Sequence, residues 1–173
     1  MAGTDRFLKG PRTPGGDASF RERPQARMNN DNGYILVVDD AQENLQVVGK
    51  ILREKNYKIG LALNGEQALA QARTRPPELI LLDVQMPGLD GYEVCKRLKA
   101  EEATKDIPII FLTAMSEVDN MNEGYEAGGA DYVTKPFNPP ELLHRIETNL
   151  RLSRVQREVA ETKKKLSESR DGA

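Results

Sequence analysis

Residues 79–93, LILLDVQMPGLDGYE, join a short apolar run to an acidic residue, a turn and the start of a helical pattern. Leu79–Leu82 has the length of a strand and no polar alternation, as in a parallel strand that is covered on both faces. Pro87, Gly88 and Gly91 supply the turn, which leaves Asp83 available for chemistry. The stretch therefore predicts a buried β-strand that ends beside a carboxylate and precedes a helix.

The middle of the chain repeats this pattern of a short apolar run followed by a helical stretch. Four further runs of strand length are Tyr34–Val38, Lys58–Leu63, Pro108–Leu112 and Asp131–Val133. Apolar residues at helical spacing lie between the runs: Leu45, Val48 and Leu52; Ala68, Leu69 and Ala72; Tyr92, Val94, Cys95 and Leu98; and Met121, Tyr125 and Ala127. Five such units in about 117 residues predict an α/β fold, a doubly wound five-stranded parallel sheet with helices on both faces.

Composition divides the 173 residues into three segments. Residues 1–33 are rich in Gly and Pro, with six basic and four acidic residues, and predict a flexible N-terminal arm. Residues 34–150 carry 12 basic and 19 acidic residues and form the predicted globular domain. Residues 151–173, with seven basic and four acidic residues, predict a charged helical extension. The formal net charge of −2 therefore conceals an acidic domain between two basic ends.

Length and composition exclude several classes of protein. No apolar run reaches the roughly 18 residues that span a bilayer, and the N-terminus lacks the apolar segment of a secretory signal. One cysteine forms no internal disulfide, and together with one histidine it provides no soft-ligand zinc site. We therefore expect a cytoplasmic protein that does not enter a membrane.

Polar side chains stand where the central strands end. Asp39 and Asp40 follow the first strand, Asp83 the third, Thr113 the fourth and Lys135 the fifth. Ligands of doubly wound sheets bind beyond the carboxyl ends of the strands, so we expect these groups to meet there. Three converging carboxylates repel each other unless a cation offsets the repulsion, and Mg²⁺ prefers such oxygen ligands. An ammonium and a hydroxyl opposite them suit the oxygens of a phosphoryl group, which suggests phosphoryl transfer to a carboxylate.

Four motifs resemble those of the receiver domains of two-component response regulators. They are VVDD at 37–40, LLDVQMPGLDGYE at 81–93, LTA at 112–114 and GGADYVTKPF at 128–137. The resemblance covers residues 34–150. It implies the flavodoxin-like strand order 2-1-3-4-5, which the chemotaxis member of the family illustrates. It also implies a signalling protein, not an enzyme that acts on other substrates.

The resemblance assigns roles to the residues at the strand ends. Asp83 would accept a phosphoryl group from the phosphohistidine of a histidine kinase. Lys135, joined to Pro136 by a cis peptide bond, would contact that group. The ligands of Mg²⁺ would be Asp39, Asp40, Asp83 and the backbone carbonyl of Gln85.

Thr113 and Tyr132 would form the switch of such a domain. Thr113 would move toward the phosphoryl group and Tyr132 would turn inward, which changes the surface formed by the fourth helix, fifth strand and fifth helix. That surface would bind an unidentified downstream protein or a second copy of the chain. Neither Gln85 nor Met115, beside the acceptor, is acidic, so no strong base directs a hydrolytic water and we expect a moderately to long-lived phosphoryl group.

Other interpretations of these residues stay open at this level. Asp40 and Glu43 have the spacing of a capping box and could simply start the first helix, and Tyr132 could be static packing. A metal-dependent aspartyl-phosphate phosphatase would use the same groups, although phosphatases of the haloacid dehalogenase type carry a second Asp where this chain has Gln85. A binding module that signals without phosphorylation is a third alternative.

The last helix is predicted to begin near Pro139 and to continue to Gly172. Near its end a heptad spacing of 3 and 4 links Leu152, Val155, Val159, Thr162, Leu166 and Ser169. This pattern suits a solvated overhang, a parallel coiled-coil homodimer or a docking helix for a partner. No output domain follows, so we expect another molecule to provide the output. The basic ends support nucleic-acid binding only weakly, because no aromatic residues are interleaved with them.

Overall fold

The central sheet of the computed structural model contains five parallel strands in the order β2-β1-β3-β4-β5. The structure describes residues 33–114 and 121–172. The strands are β1 (Tyr34–Val38), β2 (Lys58–Ala62), β3 (Leu79–Asp83), β4 (Ile109–Ala114) and β5 (Asp131–Lys135). This topology confirms the doubly wound α/β sheet predicted from the apolar runs, and the strand order that the resemblance implied.

Helices connect the strands and follow the last one. They are α1 (Gln42–Glu54), α2 (Gly65–Thr74), α3 (Gly91–Ala100), α4 (Met121–Glu126) and α5 (Pro139–Asp171). Side chains cap two of the connecting helices: the Asn64 carbonyl accepts from the Gln67 N–H at 2.9 Å, and the Asp90 carboxylate accepts from the Glu93 N–H at 2.8 Å. Each cap satisfies a backbone donor that has no partner within its helix, which fixes where α2 and α3 begin.

The residue that caps α1 is not Asp40, as the capping-box interpretation required. The residue that caps α1 is Ala41, and no side chain provides a capping hydrogen bond. The N–H of Ala41 instead donates to Asp39 Oδ1 at 2.9 Å. Because the helix begins one residue later than the capping-box spacing requires, that interpretation of Asp40 is wrong.

Apolar strand residues alternate between two core layers. One layer joins Leu36, Val38, Ile80 and Leu82 to residues of α2 and α3, and the other joins Ile35, Val37, Leu79 and Leu81 to residues of α1 and α5. Every residue of β3 is buried, and burying one leucine side chain contributes about 1.5–3 kcal/mol. The core therefore holds the carboxyl ends of the central strands at a fixed position on one edge of the sheet.

Three strands extend further than their apolar runs predicted. Asp83 is the last residue of β3, Lys135 is the last residue of β5, and Thr113 is the penultimate residue of β4. The ladder continues through them, and it pairs Asp83 with Leu112 and Lys135 with Ala114. The polar groups therefore belong to the strands, and the backbone of the sheet positions them.

The apolar contacts expected for the fourth helix are placed differently in the structure. Tyr125, predicted to pack inward, is 51% exposed, so that prediction is wrong, whereas Ala127 is buried. Gly124 takes the buried position on α4, which turns the next residue, Tyr125, outward. The side chain of Met121 lies outside the part of the chain that the structure describes.

Helix α5 begins at Pro139, as predicted, and contains 33 residues. Its buried residues are Leu142, Ile146, Asn149 and Leu150. Apart from half-buried Ser153, the residues from 151 to 172 are exposed. At 1.5 Å per residue, roughly 30 Å of the helix follows the last buried position.

Candidate functional site

Three carboxylates converge at the carboxyl edge of the sheet. Asp39 directly follows β1, Asp83 ends β3, and one oxygen of each, together with one of Asp40, lies within 4.8 Å of the others. Asp39 is 1% exposed and Asp83 is 5% exposed, whereas Asp40 is exposed to solvent. The predicted acidic cluster is therefore present, with two of its members nearly enclosed by protein.

The ammonium of Lys135 lies between the two buried carboxylates. Its Nζ is 3.0 Å from Asp39 Oδ2 and 3.3 Å from Asp83 Oδ2. The Lys135–Pro136 peptide bond is cis, as the resemblance implied. One cation thus faces two buried anions, and a third anion, Asp40, lies beside them at the surface.

Burial and repulsion shift the proton affinity of Asp83. Burial raises the pKa of the Asp83 carboxyl group, and the negative charge of Asp39 raises it further. The charge and hydrogen bond of Lys135 oppose both effects, and the result is a pKa of about 7. Burial lowers the pKa of Lys135, but its bonds to Asp39 and Asp83 outweigh that effect and raise the pKa above its ordinary value. The ammonium therefore stays charged while the carboxylates are only partly compensated.

Two residues at the start of α1, its cap residue Ala41 and Asn44 in its first turn, hold Asp39 in place. Oδ1 of Asp39 accepts from the backbone N–H of Ala41, and Oδ2 accepts from Nδ2 of Asn44 at 3.1 Å. The motif comparison missed Asn44. Asn44 lies in the first turn of α1, five residues after Asp39. This short separation from the end of β1 was the sequence signal that could have identified it.

The groups at the strand ends surround one small cavity. The cavity has a volume of about 300 Å³, and its lining includes Asp39, Asp40, Asp83, Gln85 and Lys135. The backbone N–H of Gln85 donates to Asp83 Oδ1 at 3.3 Å, so the loop after β3 also restrains the acceptor oxygen. Met115, which was expected beside this site, lies outside the described residues.

The donor set of this cavity fits a hard divalent cation. Three carboxylate groups supply oxygen ligands within a span of 4.8 Å, and oxygen is the donor that Mg²⁺ prefers. Burial and the charge of Asp39 raise the pKa of Asp83 despite the opposing charge of Lys135. A divalent ion would complete the charge balance.

Thr113 and Tyr132 lie on neighbouring strands, outside the lining of the cavity. Thr113 is 1% exposed, and its hydroxyl donates to the Ala114 carbonyl at 3.3 Å. Tyr132 is 5% exposed, and its ring lies 5.3 Å from Phe111 and 5.3 Å from Tyr125, between ring centres. The ring of Tyr132 therefore already points inward in this structure.

The hydroxyl group of Tyr132 is bound within this aromatic cluster. Burial raises the pKa of Tyr132, and a hydrogen bond to the side chain of Tyr92 adds to the increase, while a hydrogen bond to the backbone of Gly124 opposes it. A Cβ atom at position 124 would overlap the Tyr132 hydroxyl. Tyr92 and Gly124 are thus contacts of the predicted switch residue that sequence reasoning missed.

The fold and the acidic edge together define a receiver domain of the two-component type. The family described as the response regulator receiver domain matches residues 35–147. The chain belongs to this family. This result does not favour the two alternatives, a metal-dependent phosphatase and a binding module that signals without phosphorylation.

Two curated relatives match this chain over about half of their own length. It is 46% identical over 117 residues to the phosphate regulon transcriptional regulatory protein PhoB of Pseudomonas aeruginosa, a match that covers 68% of this chain and 51% of PhoB. It is 44% identical over 117 residues to the transcriptional regulatory protein ResD of Bacillus subtilis, covering 68% and 48%. The chain therefore spans about half the length of these relatives.

Solved structures with the same fold include single receiver domains. A putative response regulator from Chloroflexus aurantiacus has a TM-score of 0.66 and 38% identity, covering 68% of this chain and 97% of that one. The chemotaxis protein CheY4 of Vibrio cholerae has a TM-score of 0.64 and 32% identity, covering 66% and 96%. Within the described ranges, no helix combines the length and apolar character needed to cross a membrane. The cytoplasmic location stays a prediction.

Proposed function

We propose that this receiver domain accepts a phosphoryl group on Asp83 from a histidine kinase. The observation that carries the proposal is the position of the Asp83 carboxylate, which is 5% exposed and lines a cavity with Asp39, Asp40 and Lys135. A carboxylate oxygen of Asp83 forms a bond to phosphorus as the bond from phosphorus to the imidazole nitrogen breaks, and the imidazole leaves with that electron pair. The domain therefore acts on itself and is not an enzyme for other substrates.

The remaining groups of the cavity stabilise the transferred group. Asp39, Asp40, Asp83 and the backbone carbonyl of Gln85 would hold Mg²⁺, whose charge, when bound, offsets the negative charge of the phosphoryl oxygens. The ammonium of Lys135, 3.3 Å from Asp83 Oδ2, is placed to contact the same oxygens. Asn44 and Ala41 keep Asp39 oriented toward the cavity through their hydrogen bonds to its carboxylate.

Phosphorylation would be transmitted through Thr113 and Tyr132. Thr113 lies next to Ala114, which lines the cavity, and its hydroxyl could exchange its bond with the Ala114 carbonyl for a phosphoryl oxygen. The space beneath α4 that receives the Tyr132 ring exists, because the ring already fills it. The surface formed by α4, β5 and α5 would then change its affinity for a downstream protein or for a second copy of the chain.

We also propose that the chain consists of a receiver unit with a segment on either side of it. Residues 34–150 would form the receiver unit, which agrees with the last buried position of α5 at Leu150. Residues 151–173 would extend the fifth helix and could form a coiled coil. The N-terminal arm predicted for residues 1–33 falls, except for Gly33, outside the described residues.

Treatment with acetyl phosphate and Mg²⁺, followed by intact mass measurement, tests the proposal. We expect one phosphoryl adduct on the wild-type chain, none on Asp83→Asn, and an adduct on Asp106→Asn, which removes an exposed carboxylate outside the cavity. Chelation of divalent ions should prevent the reaction. An adduct that persists in Asp83→Asn would disprove the role of Asp83, and an adduct that forms equally well without divalent ions would disprove the metal requirement.

A further inference from the structure

Helix α5 carries an exposed apolar stripe after its last buried turn. The α5 seam consists of Leu152, Val155, Val159, Thr162, Leu166 and Ser169. Eight large apolar side chains are exposed among the described residues, and four of them belong to this seam: Leu152 (54%), Val155 (50%), Val159 (48%) and Leu166 (60%). Because isolated apolar side chains are common on protein surfaces but an aligned group is not, the concentration on one helix requires a physical explanation.

Most of the α5 seam lies on the side of α5 opposite its buried face. Successive residues of a helix are rotated by about 100°, so Val155, Val159 and Leu166 lie roughly opposite the buried side of α5, defined by Ile146 and Leu150. The first turn of the extension is held against the domain by Arg154, whose Nη2 is 2.8 Å from Glu78 Oε2. These three seam residues therefore lie on the solvent side of a helix whose start is fixed, and Leu152, although it lines a groove with Pro76 and Pro77, is still 54% exposed.

The spacing of the α5 seam is that of a two-stranded coiled coil. Intervals of 3 and 4 residues place Leu152, Val159 and Leu166 at the a positions of a heptad, and Val155, Thr162 and Ser169 at the d positions. Aliphatic residues at every a position allow close packing of two helices, while the polar residues at two of the three d positions, Thr162 and Ser169, limit its strength. Three heptads of this composition predict a weak association.

The charged residues beside the α5 seam distinguish the two orientations of a helix pair. In a parallel pair, g residues face e residues of the partner five positions later, so Glu158 meets the partner's Lys163 twice, once on each side. Lys165 and the partner's Arg170 repel each other, likewise twice, and Arg151 faces a neutral Gln156. In a fully overlapped antiparallel pair, Glu158 faces Glu158, Lys163 faces Lys163 and Arg151 faces Lys165. Of these two alignments, the parallel one alone contains an attractive charge pair, Glu158 with Lys163.

We propose that the α5 seam binds a second copy of the chain as a parallel, in-register coiled coil. This interface does not require Asp83 or its phosphorylation, and it differs from the surface formed by α4, β5 and α5. Its physical effect is to hold two receiver domains side by side at high effective concentration. A signal-dependent contact between the receivers would then occur within a preformed pair.

Light scattering coupled to size-exclusion chromatography tests whether the pair forms. Without any phosphodonor, the unmodified chain and Asp83→Asn should both change from one chain mass, 19.3 kDa, toward twice that mass as concentration rises from micromolar to near-millimolar. Val159→Lys with Leu166→Lys should remain a monomer. Ala160→Lys with Ser167→Lys, which adds the same charge off the seam, should still dimerise. A monomeric wild-type chain at the highest concentration would disprove the proposal.

Thiol cross-linking tests the orientation. Thr162→Cys places one thiol at a d position, where a parallel in-register pair brings the two thiols within disulfide reach, while an antiparallel pair sets position 162 opposite 159. Mild oxidation should therefore yield a covalent dimer for Thr162→Cys and little for Ser167→Cys on the outer face. Equal cross-linking of the two variants would contradict the parallel register.

Charge reversal tests the predicted ion pairs. Glu158→Lys or Lys163→Glu alone converts both attractive pairs into repulsive ones, and we expect a roughly tenfold larger dissociation constant for the dimer. The double variant restores the pairs with reversed sign and should return the constant close to the wild-type value. An additive loss in the double variant would show that Glu158 and Lys163 do not meet.

Discussion

Replacing Asp83 with Asn should stabilise the metal-free protein even though it removes the proposed phosphoacceptor. The substitution exchanges a carboxylate for a neutral amide of nearly the same shape, and it relieves both the desolvation of the charge and its repulsion by Asp39. The pKa of Asp83 is raised from an ordinary 3.8 to about 7. Each pKa unit corresponds to 1.36 kcal/mol, so the ionised group costs up to about 4 kcal/mol at pH 8.

The pH dependence of this effect has a definite sign. Below about pH 4 the carboxyl group is protonated in both the folded and the unfolded chain, so the wild-type protein and Asp83→Asn should differ little. Between about pH 4 and about pH 7 the folded state keeps a proton that the unfolded state has released, so the stability of the wild type falls as pH rises. Above about pH 7 the difference between the two proteins should be constant.

Urea unfolding followed by circular dichroism, with a chelator present, measures this difference. Free energies of unfolding at several values between about pH 5 and about pH 8 should show the advantage of Asp83→Asn growing to a few kcal/mol. Asp106→Asn, which removes an exposed carboxylate, should stay within about 0.5 kcal/mol of the wild type. An Asp83→Asn protein that is no more stable than the wild type at pH 8 would refute the account of the buried carboxylates.

Three further predictions follow from other contacts. Lys135→Met removes the only described cation within 4 Å of Asp39 and Asp83; it should lower the free energy of unfolding by about 1–3 kcal/mol in urea titrations and slow phosphorylation by acetyl phosphate. Gly124→Ala places a Cβ on the Tyr132 hydroxyl, so that ring should turn outward and its raised pKa should fall toward the ordinary value near 10; an unchanged ultraviolet titration of the tyrosines would contradict this. Leu81→Ala, fully buried in β3, should cost about 2–5 kcal/mol in thermal or urea unfolding, whereas Leu63→Ala, 43% exposed, should cost less than about 1 kcal/mol.

Local sequence patterns were reliable where one type of residue dominates a stretch. The uninterrupted apolar run Leu79–Leu82 has the length of a strand and indicated one covered on both faces, and the structure buries all of it. The prediction for α5 succeeded because the two prolines at its start, Pro139 and Pro140, fit the first turn of a helix but not its interior. The weaker prediction for the fourth helix failed at Tyr125, because an aromatic residue indicates packing but not which face of a short helix packs.

In the site, too, some features could be predicted from the sequence and others could not. The positions of Asp39, Asp83 and Lys135 at strand ends could be recognised from the sequence, since parallel strands bring their carboxyl ends to one edge. The bond from Asn44 to Asp39 and the enclosure of Tyr132 by Tyr92 and Gly124 could not. Those contacts join residues on different elements, and their distances depend on how the helices pack on the sheet.

The amino-acid sequence by itself determined the class of the fold, the order of its elements and the acidic, lysine-containing character of the site, because apolar periodicity and strand-end residues are local properties. The tertiary structure alone decided that the Lys135 ammonium lies between two nearly buried carboxylates, and that Tyr132 occupies the space left by Gly124. It also showed that the apolar residues of the α5 seam are exposed to solvent. Such features depend on distances between distant parts of the chain, which only the packed core fixes.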